Sequence, residues 1–304
     1  MGMMDVTVAG VHFKNPVTVA SGTFGFGRQH SGFYDLSRLG AIFVKGLTFT
    51  AREGNKPPRI AETPLGILNS VGLQNPGYKA FITDELPWLR QFDTKIVANI
   101  TGTTSEEYAI MCADLSDADV DMIEINVSCP NVKEGGIHFG ASASGIFDVV
   151  SACRKTSRVP LIVKLSPNVT DIAEMARAAE SAGADCISLI NTILGMRIDT
   201  ATRRPILGNN FGGLSGPAIR PIAVRMVYQT VQAVSVPVIG MGGILNGTDA
   251  MEFLLAGATA ISVGTANMID PCAAMTVLTE LEQILHSTGE SIGDIIGAVK
   301  MNEV

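Results

Sequence analysis

The chain has 304 residues, of which 46% are hydrophobic and 17% charged, so it can bury a large core and is not a disordered protein. Its formal net charge of -7 and its pI of about 5.1 exclude a basic nucleic-acid surface and a basic membrane-surface helix. No apolar run approaches the ~20 residues that span a bilayer, so we expect no membrane partner and a small-molecule substrate.

Three further patterns limit the location and the kind of site. The first residues, 1–5, have neither a basic n-region nor an apolar h-region, so we expect no secretory signal and a cytoplasmic protein. The five cysteines are odd in number and contain no CxxC pair, which disfavours disulfides and zinc or iron–sulfur sites. The histidines, at 12, 30, 138 and 286, lack ligand spacing and are interpreted as surface residues, so no metal is expected. Four cysteines are interpreted as small buried hydrophobes: Cys112, Cys153, Cys186 and Cys272.

Eight short apolar runs recur along the chain, and most precede a stretch with helical periodicity. This pattern predicts parallel strands joined by crossover helices, and continuous hydrophobicity is typical of strands buried on both faces. The predicted strands cover residues 17–20, 41–44, 95–100, 122–127, 161–165, 186–190, 236–239 and 260–263. They predict an α/β fold, a (β/α)8 TIM barrel with elaborated C-terminal loops, as a single domain over residues 1–304.

The positions of the glycine turns favour the barrel over an open doubly wound sheet. A doubly wound sheet would carry its phosphate turn after the first strand. Here the glycine turns 240–243 and 264–265 follow the seventh and eighth predicted strands, where barrels commonly bind phosphate. Two segments, 46–75 and 191–217, are longer than normal βα loops and are expected to be functional or to carry small structures of their own.

Cys129 follows the fourth predicted strand and enters a polar loop, where its thiol would face a ligand. A free thiol has a pKa of about 8.5, so modest help from its surroundings would make it a general base, and it could also be a nucleophile. The alternative is a small buried hydrophobe.

Lys45 and Lys164 end predicted strands among apolar neighbours. An ammonium group is costly to bury there unless an anion or an electron-rich ligand meets it, although a solvated or salt-bridged lysine is the common case. Asparagine side chains repeat the pattern, and their amides would match a pyrimidine or a flavin edge, or each could serve a turn. These asparagines are Asn69, Asn75, Asn99, Asn126 and Asn191.

Nine segments together have the pattern of one family: 20–23, 44–46, 68–77, 126–131, 163–168, 190–192, 212–216, 240–243 and 263–265. Through them the chain resembles the class 1 dihydroorotate dehydrogenases over nearly its whole length. The resemblance implies FMN across the barrel mouth and dihydroorotate stacked on it, with Cys129 as the base for the C5 proton and FMN N5 as acceptor of the C6 hydride. Lys164 would lie at the N1–O2 edge of the flavin.

The resemblance also assigns the other site residues. Those implied for the FMN phosphate are Gly242, Gly243, Gly264 and Thr265. Those implied for the rest of the cofactor are Ser21, Lys45, Gly46, Asn99, Asn126, Lys164, Ile190 and Gly216. Those implied for the substrate are Lys45, Asn69, Ser70, Val71, Gly72, Leu73, Asn126, Asn191 and Thr192.

A cysteine base resembles the soluble class 1 enzymes, and segments 132–136, 192–197 and 208–217 resemble the NAD-linked class 1B. That class implies pyrimidine (UMP) biosynthesis and a partner subunit with FAD and a [2Fe-2S] cluster, in a heterotetramer of two catalytic and two electron-transfer subunits, with NAD as final acceptor. Three alternatives are a fumarate-dependent class 1 homodimer, a phosphosugar isomerase or aldolase with a Schiff base on Lys164, and a subunit that binds without turnover.

Overall fold

The computed structural model of the protein describes residues 2–127 and 139–302. The strands in these ranges are β1 (Val6–Val8), β2 (Val11–Phe13), β3 (Val17–Val19), β4 (Ala41–Phe43), β5 (Ile60–Thr63), β6 (Gly66–Asn69), β7 (Lys95–Ile100), β8 (Met122–Asn126), β9 (Leu161–Lys164), β10 (Cys186–Leu189), β11 (Ile193–Gly195), β12 (Ile198–Asp199), β13 (Arg204–Pro205), β14 (Gly212–Ser215), β15 (Val238–Met241) and β16 (Ala260–Val263).

The α-helices in the same ranges are α1 (Tyr78–Ala80), α2 (Leu86–Leu89), α3 (Ser105–Asp117), α4 (Ala143–Arg154), α5 (Ile172–Ser181), α6 (Arg220–Val231), α7 (Gly247–Leu255), α8 (Ala266–Ile269), α9 (Ala273–Thr288) and α10 (Ile292–Ile295). Short 3-10 turns cover His30–Gly32, Leu36–Arg38, Phe139–Ala141 and Pro217–Ile219, and a π-helical turn covers Phe81–Glu85. No helix in the described part of the chain has the length and apolar character needed to cross a bilayer.

Eight parallel strands close into a barrel in the order β10, β15, β16, β3, β4, β7, β8, β9. Each strand pairs with its neighbours in chain order, and helices lie between successive strands. Every residue of these strands is buried except Lys95, because helices cover the outer face and side chains fill the inner one. The predicted (β/α)8 barrel is confirmed.

The seventh barrel strand was predicted two residues too early. The prediction was 236–239, whereas β15 covers Val238–Met241. Pro237 has no N–H to donate to a ladder, and Gly240, taken for a turn residue, is a buried strand position. A Cβ at Gly240 would lie 2.6 Å from Phe253, so glycine is required there by close packing rather than by a turn.

The two long segments fold together over the mouth of the barrel. β5 and β6 from the first segment pair with β14 and β11 from the second in an antiparallel sheet of order β11-β14-β6-β5. This mouth sheet has a small core of its own around Ala61, Leu68 and Leu207. The expectation that these segments carry their own structure is confirmed.

Polar side chains occupy the inside of the barrel near its mouth. Residues in register on neighbouring strands point to the same face, so the face of Lys164 also carries Asn126 and Ser188. Barrel interiors are usually filled by branched apolar residues. Here the inward polar residues, each at most 8% exposed, are Thr18, Asn99, Glu124, Asn126, Lys164, Ser188 and Ser262.

The interpretation of His30 as a surface residue is wrong. His30 is 7% exposed and stacks on Phe24, with ring centroids 4.0 Å apart and an interplanar angle of 23°. Burial lowers the pKa of His30, because the charged imidazolium loses its solvation. His12 and His286 are exposed as expected, and His138 lies outside the described residues.

Three cysteines are buried as predicted, and Cys272 is half-buried. A hydrogen bond with Cys112, together with burial, raises the pKa of the Cys153 thiol, and burial raises that of Cys186. We therefore expect an aromatic disulfide reagent to modify at most two of the five thiols of the native chain, and all five in denaturant. Rapid modification of three or more native thiols, measured by absorbance and located by mass spectrometry, would contradict this packing.

Candidate functional site

A deep cleft lies between the mouth of the barrel and the mouth sheet. The space between its walls is about 1200 Å³, a volume that includes the part open to solvent. The C-terminal ends of the barrel strands form its floor, and Ile60, Ile67 and Asn69 of the mouth sheet line its other side. This is the face on which barrel enzymes carry their chemistry.

Most of the predicted site residues converge on this cleft. Those that line it are Ser21, Lys45, Asn69, Val71, Gly72, Leu73, Asn126, Lys164, Ile190, Asn191, Thr192, Gly216, Gly242, Gly243, Gly264 and Thr265. Three others, Gly46, Ser70 and Asn99, are buried behind the lining. Cys129 lies outside the described residues, so its role stays a prediction from the sequence.

Several lining residues were not predicted, among them Ser215, Met241 and Ser262. The Ser262 hydroxyl is buried and has no hydrogen-bond partner in the described part of the chain. Ser262 lies two residues after Ala260 along β16, so the two side chains point to the same face of the strand. Once the register is known, this spacing predicts that the Ser262 side chain points inward. Ile60 and Ile67 had no such signal, because only the pairing of two distant segments brings the mouth sheet over the barrel.

The late glycine turns give the cleft a wall of backbone. Gly242 has φ +135° and Gly243 has φ +79°, conformations that other residues rarely adopt. A Cβ on Gly242 would lie 2.7 Å from that of Ala223, and one on Gly243 would lie 2.7 Å from the Gly216 carbonyl oxygen. Turns of this kind let backbone N–H groups approach an anion closely, so they fit the phosphate of FMN.

Lys164 brings a positive charge into the floor of the cleft. Its side chain is 6% exposed, and no carboxylate lies within ion-pair distance of it in residues 2–127 and 139–302. A buried ammonium needs an anion or an electron-rich group to offset its lost hydration. The N1–O2 edge of a flavin would supply one, so this feature also fits FMN.

The same cleft is also lined by Lys45, Asn69, Asn126 and Asn191. The backbone N–H of Lys45 donates to the Gly25 carbonyl at 2.9 Å, which fixes the strand end that carries its side chain. Asn191 accepts a hydrogen bond from the Thr192 N–H at 2.8 Å, and Asn69 donates weakly to the Gly213 carbonyl at 3.4 Å. Amide side chains of this kind suit a ring with alternating N–H and C=O groups.

Asn75 shapes the segment that carries the predicted substrate residues. Its Oδ1 accepts from the N–H groups of Thr48 (3.1 Å) and Gly77 (2.8 Å), and its Nδ2 donates to the Thr48 hydroxyl (2.8 Å) and the Leu73 carbonyl (2.6 Å). All four hydrogen bonds of a buried amide are therefore made within one loop. They hold Leu73 at φ +57°, a costly conformation for a branched residue.

We expect Asn75→Ala to lower the free energy of unfolding by about 3 kcal/mol, because buried partners are left without hydrogen bonds. Asn75→Asp retains the acceptor for both N–H groups but places its second oxygen against the Leu73 carbonyl oxygen, so it should cost at least as much. Chemical denaturation of the three proteins measures the difference. An alanine variant as stable as the unsubstituted chain would mean that the loop does not depend on Asn75.

Three or more potential metal ligands do not cluster anywhere in the described ranges.

A comparison with protein families finds that the model described as dihydroorotate dehydrogenase matches residues 3–285. The chain belongs to the dihydroorotate dehydrogenase family. The predicted family and the predicted enzyme class, an oxidoreductase, are both confirmed.

Curated members of the dihydroorotate dehydrogenase family are similar over nearly their whole length. A protein from Alkaliphilus oremlandii named "Dihydroorotate dehydrogenase B (NAD(+)), catalytic subunit" is 57% identical over 97% of this chain and 98% of its own. A protein of the same name from Thermoanaerobacter pseudethanolicus is 53% identical over 98% and 99%. Among solved structures, DHODH from Eimeria tenella in complex with ferulenol has a TM-score of 0.80 at 22% identity, covering 97% of this chain and 88% of that one, and supports the fold.

Proposed function

We propose that this chain is the FMN-binding catalytic subunit of an NAD-linked dihydroorotate dehydrogenase, which oxidises dihydroorotate to orotate in pyrimidine (UMP) biosynthesis. The observation that carries the proposal is the buried Lys164 ammonium in a cleft that also contains the glycine turns and the amides. In a member of this family, that combination is best explained by a flavin and a pyrimidine ring. An aldolase or isomerase would use the lysine and the glycines, but it would leave the amides unexplained.

Some residues of the cleft would bind the cofactor and others would bind the substrate. Gly242, Gly243, Gly264 and Thr265 would hold the phosphate, and Lys164 would stabilise negative charge at the N1–O2 edge. When bound, FMN supplies a hydride acceptor at N5 for the hydrogen that leaves C6 of dihydroorotate.

The substrate would lie between this floor and the mouth sheet. Lys45 would bind its carboxylate, and the amides of Asn69, Asn126 and Asn191 would bind its ring N–H and C=O groups. The residues that bring the ring close to the mouth sheet would be Ser70, Val71, Gly72, Leu73 and Thr192. Ser21, Gly46, Asn99, Ile190 and Gly216 would complete the surroundings of the cofactor, with Gly46 and Asn99 acting from behind the lining.

Cys129 is proposed to take the C5 proton as the C6 hydride leaves, which completes the removal of two hydrogens from the C5–C6 bond. Support for this role comes from the sequence motif around Cys129 and from the family. The thiol returns its proton to solvent in a later step, so the residue is unchanged after turnover.

The names of the relatives imply an electron-transfer partner for this chain. We propose that the partner carries FAD and a [2Fe-2S] cluster, that two copies of each subunit form a heterotetramer, and that NAD is the final electron acceptor. The cytoplasm is the proposed location. The three segments that resemble the NAD-linked class support this assignment over the fumarate-dependent homodimer.

The experiment is to purify the chain, record its absorption spectrum and add dihydroorotate without oxygen. A flavin spectrum that bleaches is the expected result, and reoxidation by NAD only with the partner subunit would identify the acceptor. Direct reoxidation by fumarate would favour the homodimeric class. Bound flavin that stays oxidised would contradict dihydroorotate as the substrate, and a colourless chain would favour the isomerase or aldolase.

A further inference from the structure

One acidic side chain, Glu124, points into the barrel among the described residues of its strands. It lies on β8 and is fully buried. Its Oε2 accepts a hydrogen bond from Asn99 Nδ2 on β7 at 2.5 Å, and its Oε1 accepts one from the Ser188 hydroxyl on β10 at 2.6 Å. Each carboxylate oxygen therefore has its own donor.

The hydrogen bond to Ser188 crosses in front of the strand that carries Lys164. β9 lies between β8 and β10 in the barrel, so a side chain that reaches from β8 to β10 passes over the inner face of β9. On that face, Ile162 is the register partner of Glu124, and Lys164 is the register partner of Ser188. The Glu124 carboxylate consequently lies beneath the Lys164 side chain, one layer deeper in the barrel.

The two buried charges do not form an ion pair in the described part of the chain. Lys164 and Glu124 have no N–O contact within 4.0 Å in the part of the chain that the structure describes. The carboxylate is held by two neutral donors instead, so the ammonium remains directed toward the cleft. In a low-dielectric interior, an opposite charge one layer away still offsets part of the cost of burying the ammonium.

We propose that Glu124 is a positioning residue of the cofactor site, which orients Asn99 and Ser188 below the floor and sets the charge balance around Lys164. This inference rests on the proposed function. Because its negative charge lies below the place where the reduced flavin gains negative charge, Glu124 makes reduction of the bound flavin less favourable. The neutral donors allow Lys164 to interact with the ligand rather than with the carboxylate.

The test is Glu124→Gln in the enzyme loaded with FMN, assembled with its partner subunit. Removing the carboxylate charge is expected to move the midpoint potential of the bound FMN to a more positive value. It should also raise the FMN Kd about tenfold, as expected when a buried hydrogen-bond network is disrupted. Equilibration with reference dyes gives the potential, and titration of the apoprotein with FMN gives the Kd.

Asp121→Asn is the matched control, because it removes one negative charge from the residue just before β8, at the other end of the strand. Asp121 accepts from Arg90 and from the Ile96 N–H, both at 2.8 Å, away from the cleft. We expect Asp121→Asn to lower the stability of the protein and to leave the midpoint potential of the bound FMN unchanged. If Glu124→Gln likewise lowers only the stability and leaves the midpoint potential and the FMN Kd at their wild-type values, the role of Glu124 is structural and the inference is overturned.

Glu124→Asp keeps the test decisive should the glutamine variant not fold. It retains the charge but is one methylene shorter, so it cannot reach both Asn99 and Ser188, and it should weaken FMN binding without a change in potential. An unchanged Kd for this variant would overturn the inference. The proposed function is tested separately, because it fails only if the unsubstituted chain binds no FMN or is not reduced by dihydroorotate.

Discussion

Replacement of Cys129 by alanine is expected to leave FMN bound while slowing flavin reduction by dihydroorotate at least ~100-fold, the lower range for loss of a general base. The C5 proton would then have no acceptor of suitable pKa, whereas transfer of the C6 hydride requires that this proton leave. Anaerobic stopped-flow absorbance of the flavin measures the rate, and the spectrum before mixing measures cofactor content.

Cys129→Ser separates basicity from size. A serine hydroxyl is far less acidic than a thiol, whose free pKa is about 8.5, so the serine variant should be slow near neutral pH and should gain rate as the pH rises. Cys272→Ala is the matched control, since it removes a half-buried thiol that does not line the cleft and should reduce at the wild-type rate. A wild-type rate for Cys129→Ala would place the base elsewhere.

The barrel was predictable because strands buried on both faces must be apolar along their whole length. That requirement gave all eight barrel strands, although five were predicted one residue too long at the C-terminal end and the seventh was displaced for a local reason. The predicted strand 236–239 included Pro237 and stopped before Gly240, yet Pro237 lies outside β15 and Gly240 packs within it against Phe253. Periodicity cannot distinguish a glycine that turns the chain from one that makes room for a neighbour.

Lys164 in the floor of the cleft was predictable from the cost of desolvating a buried charge, but the mouth sheet was not predictable from the sequence. Lys164 was recognised because an ammonium among apolar neighbours requires a partner, and the structure places it 6% exposed in the cleft. The mouth sheet depends on pairing between residues about 145 positions apart, such as Asn69 with Gly213, and no local pattern encodes that contact.

The burial of several polar residues was also not predicted from the sequence. Glu124 and Ser262 lie within apolar runs, where a single polar residue can equally be a strand residue that faces solvent. His30 was assigned to the surface because the histidines lack ligand spacing, which says nothing of its stacking on Phe24. The side-chain directions of Glu124 and Ser262 follow from the barrel register, which becomes known only when all eight strands are paired.

Lys164→Met is expected to slow flavin reduction by about 100- to 1000-fold, the usual loss when one electrostatic contact to a developing charge is removed. Methionine retains an unbranched stem of similar length and removes the charge, so packing in the floor should change little. The midpoint potential of bound FMN should become more negative, opposite in sign to the change expected for Glu124→Gln. Lys95→Met is the control, because Lys95 lies at the amino end of β7 and contacts Asp121 at 3.5 Å.

The double variant Lys164→Met/Glu124→Gln decides whether the two charges act on one another. Lys164→Met leaves a buried carboxylate without its neighbouring positive charge, and we expect a loss of about 3 kcal/mol of stability from that imbalance. Removing both charges should restore part of the stability that the single substitutions lose, although flavin reduction would stay slow. Losses of unfolding free energy that simply add in the double variant would mean that Glu124 and Lys164 are independent.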